Sequence, residues 1–246
     1  MSLYLYGIVR SGPLTISSPG VGDHPSVETI QHGDLAVVVS PASPEAASGN
    51  RRTMLAHTRV LEEVMRSRTV LPLRFGILAP DHHAIRERLL QPNSSQLIAQ
   101  LQRLEGKVEL SLKVLWYEQI VFRTIAEQYQ EIRELRDQLA NRPADQAYYE
   151  RIRLGQLTEQ ALQQLRSADA NRIITALRPL AEQTRQLDTF SERMVLNAAF
   201  LLDRSGESRF EQAIHALDQE LGERMLFKIV GPVPPYNFVS LNLSWS

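Results

Sequence analysis

Histidine, acidic, serine and glycine clusters are the parts of this chain that could do chemistry. The histidines are His24, His32, His57, His82, His83 and His215. A helical zinc site needs two of them four residues apart on one face with a third ligand beyond, and no pair has that spacing. Asp81-His82-His83 is the one cluster, and it reads as a helix start in which Asp81 caps and the adjacent imidazoles diverge. Ser11-Gly12 and Ser205-Gly206 lack the Gly-x-Ser-x-Gly setting of a nucleophile elbow. Pro19-Gly20-Val21-Gly22-Asp23 has two glycines of a phosphate-binding turn but no third glycine, following helix or Walker lysine, so it reads as a plain turn. Glu62 and Glu63 are neighbours on a helix, and Glu105 and Glu109 open a strand where they are expected to be solvated. General acid–base work needs a buried, perturbed carboxyl, which neither pair implies. With no cysteine, thiolate nucleophiles, disulfides and thiolate metal sites are excluded. No catalytic centre, metal or cofactor is expected.

The composition narrows the class further. The 246 residues are 43% hydrophobic and 22% charged, which suits a folded chain with a sizeable core. A net charge of -1 supplies no field for nucleic acid or an anionic membrane. The apolar patch in the N-terminal MSLYLYGIVRSG is too short for a signal segment, and no apolar run approaches the ~18 residues of a membrane span. A cytoplasmic protein is expected.

Periodicity then gives the elements that must position these residues. Leu3–Val9 is a strand with apolar residues on both sides, hence central; Leu35–Val39 is a second, entered by the turn His32-Gly33-Asp34. Arg52–Arg68 is a helix with Met54, Leu55, Thr58, Leu61, Glu62, Val64 and Met65 on its stripe. Thr69–Leu73 is a short strand, and two helices follow, carrying Ile85, Leu89 and Leu90, then Leu97, Leu101 and Leu104. Gly106 marks a boundary between a mixed α+β domain of residues 1–105 and a second domain of residues 106–246. In the second, Val108 to Trp116 alternate as a strand. Val121 to Leu139 form one long helix, broken at Asn141-Arg142-Pro143, and Ile152 to Ala168 pack back on it as a hairpin. Strands at Arg185–Phe190 and Met194–Leu202 follow. A helix with a Ser208/Glu211 capping box then buries Phe210, Ile214, Leu217 and Leu221, and a last strand, Met225–Val230, is ended by Gly231-Pro232. The order βαββαβ is that of a ferredoxin-like domain with a long helical insertion.

What remains is recognition. In Gly231-Pro232-Val233-Pro234-Pro235-Tyr236-Asn237-Phe238, three prolines remove backbone donors and pre-set an extended path, with Tyr236 and Phe238 as apolar anchors. The segment either docks a partner or folds back to close its own core, and the Pro234-Pro235 bond is a candidate for cis. Leu73, Arg74 and Phe75 pose the same choice, with Arg74 either a buried guanidinium holding carbonyls or an exposed contact. Candidate contact residues are therefore Leu73, Arg74, Phe75, Pro232, Pro234, Pro235, Tyr236 and Phe238.

These segments carry a resemblance. Tyr4-Leu5-Tyr6-Gly7-Ile8-Val9, Val70-Leu71-Pro72-Leu73-Arg74-Phe75-Gly76, Glu105-Gly106-Lys107-Val108-Glu109-Leu110 and Gly231–Val239, in that order along nearly the whole chain, resemble the signature regions of the gas vesicle protein F/L family. The resemblance implies a non-enzymatic component or accessory factor of gas vesicles, the protein-shelled, gas-filled cytoplasmic compartments that give cells buoyancy. The implied partners are the small hydrophobic shell protein and other gas vesicle accessory proteins, with no nucleic acid, membrane or cofactor. The alternative from the residues alone is a ferredoxin-like module that senses a small molecule.

Overall fold

Tyr4, Tyr6 and Ile8 alternate with Leu3, Leu5 and Val9, and both sets are buried because β1 (Leu3–Arg10) runs through the middle of a sheet. The computed structural model describes residues 2–22, 26–43, 45, 48–140, 142, 143 and 146–239. His24 and Asn141 lie outside them. In the first sheet the order is β2 (Glu28–His32), β3 (Leu35–Pro41), β1, β4 (Val70–Pro72), and β5 (Leu78–Ala79) also pairs with β1. All these pairings are antiparallel, with Ile8 facing both Val37 and Leu71. Gly7 is required by close approach: a Cβ there would sit 2.7 Å from Val70 Cγ2 and 2.9 Å from the Leu71 carbonyl.

Helix α1 (Arg51–Ser67) opens with a reciprocal cap. Asn50 Oδ1 accepts the Thr53 N–H at 3.0 Å, and the Thr53 hydroxyl oxygen accepts the Asn50 N–H at 3.2 Å. Its buried stripe is Thr53, His57, Val60, Leu61, Val64 and Met65, against β1 and β4. This corrects the stripe read from hydrophobicity, because Met54 and Leu55 are 52% and 46% exposed while a histidine and a threonine turn inward. The two helices expected after it are one run: α2 (His82–Ala84), a π-helical segment (Ile85–Leu90) and α3 (Gln91–Arg103). Asp81 Oδ1 accepts the Ala84 N–H at 2.8 Å, as a cap should, and His82 and His83 face solvent. The π segment accommodates Pro92, which has no N–H to continue the ladder.

The second sheet is also antiparallel, in the order β7 (Gln183–Gln186), β8 (Met194–Asp203), β6 (Lys107–Trp116), β9 (Met225–Val233). The chain is thus an α+β protein with two antiparallel sheets. β8 is buried on both faces from Met194 to Leu202, as befits an inner strand. Between β6 and β7 lie α4 (Glu118–Gln128), α5 (Gln130–Leu139) and α6 (Tyr148–Leu177). The single helix expected from Val121 to Leu139 is interrupted at Tyr129, whose backbone is extended. α5 packs on α6, as the hairpin reading requires, but α6 buries Ala161, Asp169, Ile173 and Leu177, and Ile152 is exposed. The polar knot of this region is Asp169, which accepts the Trp116 indole N–H at 2.9 Å and both Nη groups of Arg224 at 2.9 and 2.6 Å.

α7 (Glu207–Leu221) buries Phe210, Ile214, Leu217 and Leu221, each worth about 1.5–3 kcal/mol when fully covered. The Ser208/Glu211 capping box does not form. The helix begins a residue before Ser208, at Glu207, and has no side-chain cap. β7 also begins and ends earlier than the strand expected at Arg185–Phe190, and Phe190 is exposed with Lys113 Nζ 5.2 Å from its ring centroid. β9 does not stop at Gly231-Pro232 but continues to Val233, and the cis peptide bond is Gly231–Pro232.

The chain divides into two compact units. One comprises residues up to Leu110, Leu201–Arg204 and the chain from Gly231 on; the other comprises Ser111–Phe200 and Ser205–Val230.

Candidate interaction surface

The motif segments read from the sequence converge within the first unit, mostly as internal structure. Tyr4, Tyr6, His57 and Phe75 form an aromatic cluster, with Tyr4 4.9 Å from Tyr6 and 5.8 Å from Phe75, and His57 stacked on Tyr6 at 5.6 Å. The Tyr4 hydroxyl lies 3.0 Å from His57 Nδ1 and accepts the Gly76 N–H at 3.0 Å. The Tyr6 hydroxyl bonds Ser40 Oγ at 2.9 Å and accepts the Val21 N–H at 2.6 Å, so the glycine-containing turn is pinned to the core. Burial holds the Tyr4 hydroxyl in its neutral form, above the usual tyrosine range, against the lowering effect of the Gly76 bond. Burial pushes His57 down to about 4, opposed by the Leu73 backbone. A neutral imidazole sealed at 3% exposure is a packing group here.

In the LPLRFG segment, Leu73 is buried, Phe75 is half-buried and Arg74 is exposed. Arg74 is thus not the buried guanidinium that one sequence reading allowed. Glu63, of the Glu62-Glu63 pair on α1, accepts the Ser17 and Ser18 N–H groups at 2.8 Å each. These bonds hold its carboxyl below the usual range and fix the loop after β1.

The C-terminal segment folds back in this unit. Pro234, Pro235 and Phe238 are buried, Tyr236 is half-buried and Pro232 is exposed. Arg103 Nη2 donates to the Phe238 carbonyl at 2.6 Å. Glu109 accepts both Asn237 donors, the backbone N–H at 2.8 Å and Nδ2 at 2.6 Å. At 1% exposure, Glu109 is not the solvated strand residue expected from the sequence. The bend into the segment requires Gly231: its φ is +140, and a Cβ would meet Leu110 Cδ2 at 2.6 Å and the Glu109 carbonyl at 2.8 Å. The Tyr236 hydroxyl is pushed up first by burial and then by the charges of Glu62 and Glu109.

Exposed apolar groups suited to a partner occur on β9, the terminal strand of its sheet. Leu226 and Val230 are 37% and 50% exposed, with exposed Lys228 between them. The sequence reading identified the strand but not this face, because Leu226, Phe227, Ile229 and Val230 look like a strand covered on both sides. Leu226, Lys228 and Val230 share one face of this end strand, and that face is exposed. Among the described residues, no group of three or more His, Cys, Asp or Glu could hold a metal, and no helix is long and apolar enough to cross a membrane.

Residues 2–240 match the family described as "Gas vesicle synthesis protein GvpL/GvpF". The chain belongs to this family. Its GvpL/GvpF relatives include gas vesicle protein F of Dolichospermum flosaquae, 32% identical over 98% of this chain and 98% of that protein. Gas vesicle protein F of a Streptomyces species is 35% identical over 97% of this chain and 100% of its own length. The crystal structure of GvpF from Anabaena superposes with a TM-score of 0.86 at 31% identity, covering 98% of this chain and 99% of that one. GvpL/GvpF proteins are structural or accessory, not enzymes, in keeping with the expectation from the sequence.

Proposed function

We propose that this chain serves gas vesicle assembly in the cytoplasm as an accessory protein or vesicle component, binding the small hydrophobic shell protein before and during its incorporation. Other gas vesicle accessory proteins are further partners in this reading. The full-length family match supports the gas vesicle role. The observation that carries the binding role is the β9 edge with Leu226 and Val230 exposed. An apolar shell subunit carries strand edges and apolar faces that aggregate unless covered, and an open antiparallel edge can cover them by strand addition. Lys228 between the two apolar side chains disfavours pairing of this edge with a second copy of itself while leaving a route for a different strand. The sheet order β7-β8-β6-β9, with helices in both crossovers, supports a ferredoxin-like arrangement from β6 to β9.

In this reading the buried members of the candidate contact set, Leu73, Pro234, Pro235 and Phe238, hold the fold, and the exposed Arg74 and Pro232 stay available to partners. The test is co-purification of the shell protein with the full chain and with a Leu226→Glu/Val230→Glu variant. Both substitutions fall on exposed positions, so the variant keeps its thermal stability and loses shell-protein capture. Equal capture by a folded variant removes the β9 edge from the mechanism.

A further inference from the structure

The N-terminal half of α6 is covered on one side only. Leu157, Ala161 and Gln164 face α4 and α5, where Tyr129 donates its hydroxyl to Gln164 Oε1 at 3.3 Å and Arg153 pairs with Glu131 at 2.5 Å. On the other side Arg151, Gly155, Glu159 and Leu162 line a groove of about 570 Å³ within the second unit. Tyr148, Gly155, Leu162 and Asp169 step by seven residues and so share one face of the helix. That face is buried at Asp169, Ile173 and Leu177. Toward the N-terminus it loses its cover: Leu162 is half-buried, Gly155 is exposed and Tyr148 is 62% exposed.

The residues of this open face are arranged to fit a second copy of themselves. Arg151 and Glu159 stand four residues to either side of Gly155, along one row of the helix surface. Arg142, Arg153 and Arg172 pair with Glu150, Glu131 and Glu220, but among the described residues Arg151 and Glu159 have no ion-pair partner. Arg151 Nη2 donates to the Arg142 carbonyl at 3.2 Å and Glu159 accepts from Gln163 at 3.4 Å, both at the surface. A two-fold axis at Gly155 sets each position before it against the position equally far after it on an antiparallel helix. Arg151 then faces Glu159 of the other copy, and Tyr148 faces Leu162. A parallel pairing instead sets Arg151 on Arg151 and Glu159 on Glu159, which like-charge repulsion opposes. Gly155 itself weakens a helix interior relative to alanine, and a Cβ there would meet nothing within 4 Å, so its own chain makes no use of the missing side chain. A second backbone crossing at this point does. Exposed ion pairs add little affinity and mainly fix register, so the contact belongs to the weak class of interfaces.

We propose that the chain forms a two-fold antiparallel dimer through this face of α6. The experiment is sedimentation equilibrium of the full chain from about 1 μM to about 1 mM, the range of weak interfaces. A reversible monomer–dimer equilibrium is expected. Arg151→Glu, at an exposed position, weakens the dimer about tenfold or more, and Arg151→Glu/Glu159→Arg restores it because reversing both charges preserves the pairing. Gly155→Leu abolishes the dimer, while the open space around Gly155 lets the monomer keep its thermal stability. The Leu226→Glu/Val230→Glu variant dimerises as the parent does, which separates this face from the β9 edge. A monomeric mass across the whole range overturns the proposal and leaves the face to a different polypeptide. Dimerisation unchanged in folded Arg151→Glu or Gly155→Leu protein, not restored by the double charge reversal, or lost in the β9 variant overturns it equally.

Discussion

Glu109 and Asn237, 128 residues apart in sequence, are joined by two hydrogen bonds of 2.8 and 2.6 Å to the two carboxylate oxygens of one buried side chain. The strand residue thereby fixes the last described segment of the chain. Replacing Glu109 with Ala leaves the Asn237 donors without their acceptor, and a lost charge-assisted pair of this kind is worth about 2–3 kcal/mol. Urea unfolding of Glu109→Ala is expected to show that loss. Amide hydrogen exchange should locate its first effect at residues 231–239, and unchanged exchange there would detach this pair from the segment's anchoring.

His57 makes stability depend on pH in a defined direction. Its folded value near 4 lies below the ordinary 6.5, so between these limits the unfolded chain takes up a proton that the folded chain refuses. The contribution of the neutral imidazole is complete above pH 6.5 and falls as the pH drops, by on the order of 3 kcal/mol at the lower limit. Urea midpoints measured from about pH 7 down to about pH 4.5 should decline, and His57→Gln, which keeps a polar partner for Tyr4, should decline less steeply. Parallel slopes for the two proteins would exclude His57 as the titrating group.

Asp169 is the one acceptor shared by Trp116 and Arg224. Its removal leaves a half-buried guanidinium and a buried indole N–H without this partner, a change of about 2–3 kcal/mol. Denaturant unfolding of Asp169→Ala should show this loss with little dependence on salt, since buried pairs are poorly screened. A loss under about 1 kcal/mol would mean that water replaces the carboxylate.

Much of this fold was legible because its strongest signals are local. β1 carries apolar residues on both sides, so its inner placement followed from side-chain period alone, and the alternation of β6 and β8 gave their existence but not their place in the sheet. β2, with Ile30 as its one buried residue, gave no such signal. The α1 stripe was misplaced because hydropathy counts His57 and Thr53 as outward, whereas a hydrogen bond to Tyr4 and the Asn50 N–H donated to the Thr53 hydroxyl oxygen let them turn in. Glu109 was read as solvated for the same reason: its partner lies on a distant segment that no window of sequence contains. The motif segments were found by their residue types. That most of their side chains are internal depends on tertiary packing, and so does the exposure of Leu226 and Val230 on a terminal strand.

Lys228 is the expected guard of the β9 edge. Lys228→Val should leave the folded state within about 0.5 kcal/mol of the parent, as is usual for a surface position, while making a continuous apolar edge from Leu226 to Val230. Sedimentation of the variant should show concentration-dependent self-association, and a strictly unchanged sedimentation profile would mean that this edge is protected by something other than the lysine.

The role in gas vesicle assembly is tested most directly in cells. The gene is deleted, then restored as the parent sequence or as Leu226→Glu/Val230→Glu, and gas vesicles are scored by flotation and by turbidity that collapses under pressure. Deletion is expected to abolish vesicles and the parent to restore them, with the edge variant accumulating as folded protein without restoring them. Normal vesicles in the deletion strain would contradict an assembly role, and full rescue by the edge variant would contradict the surface assigned to it.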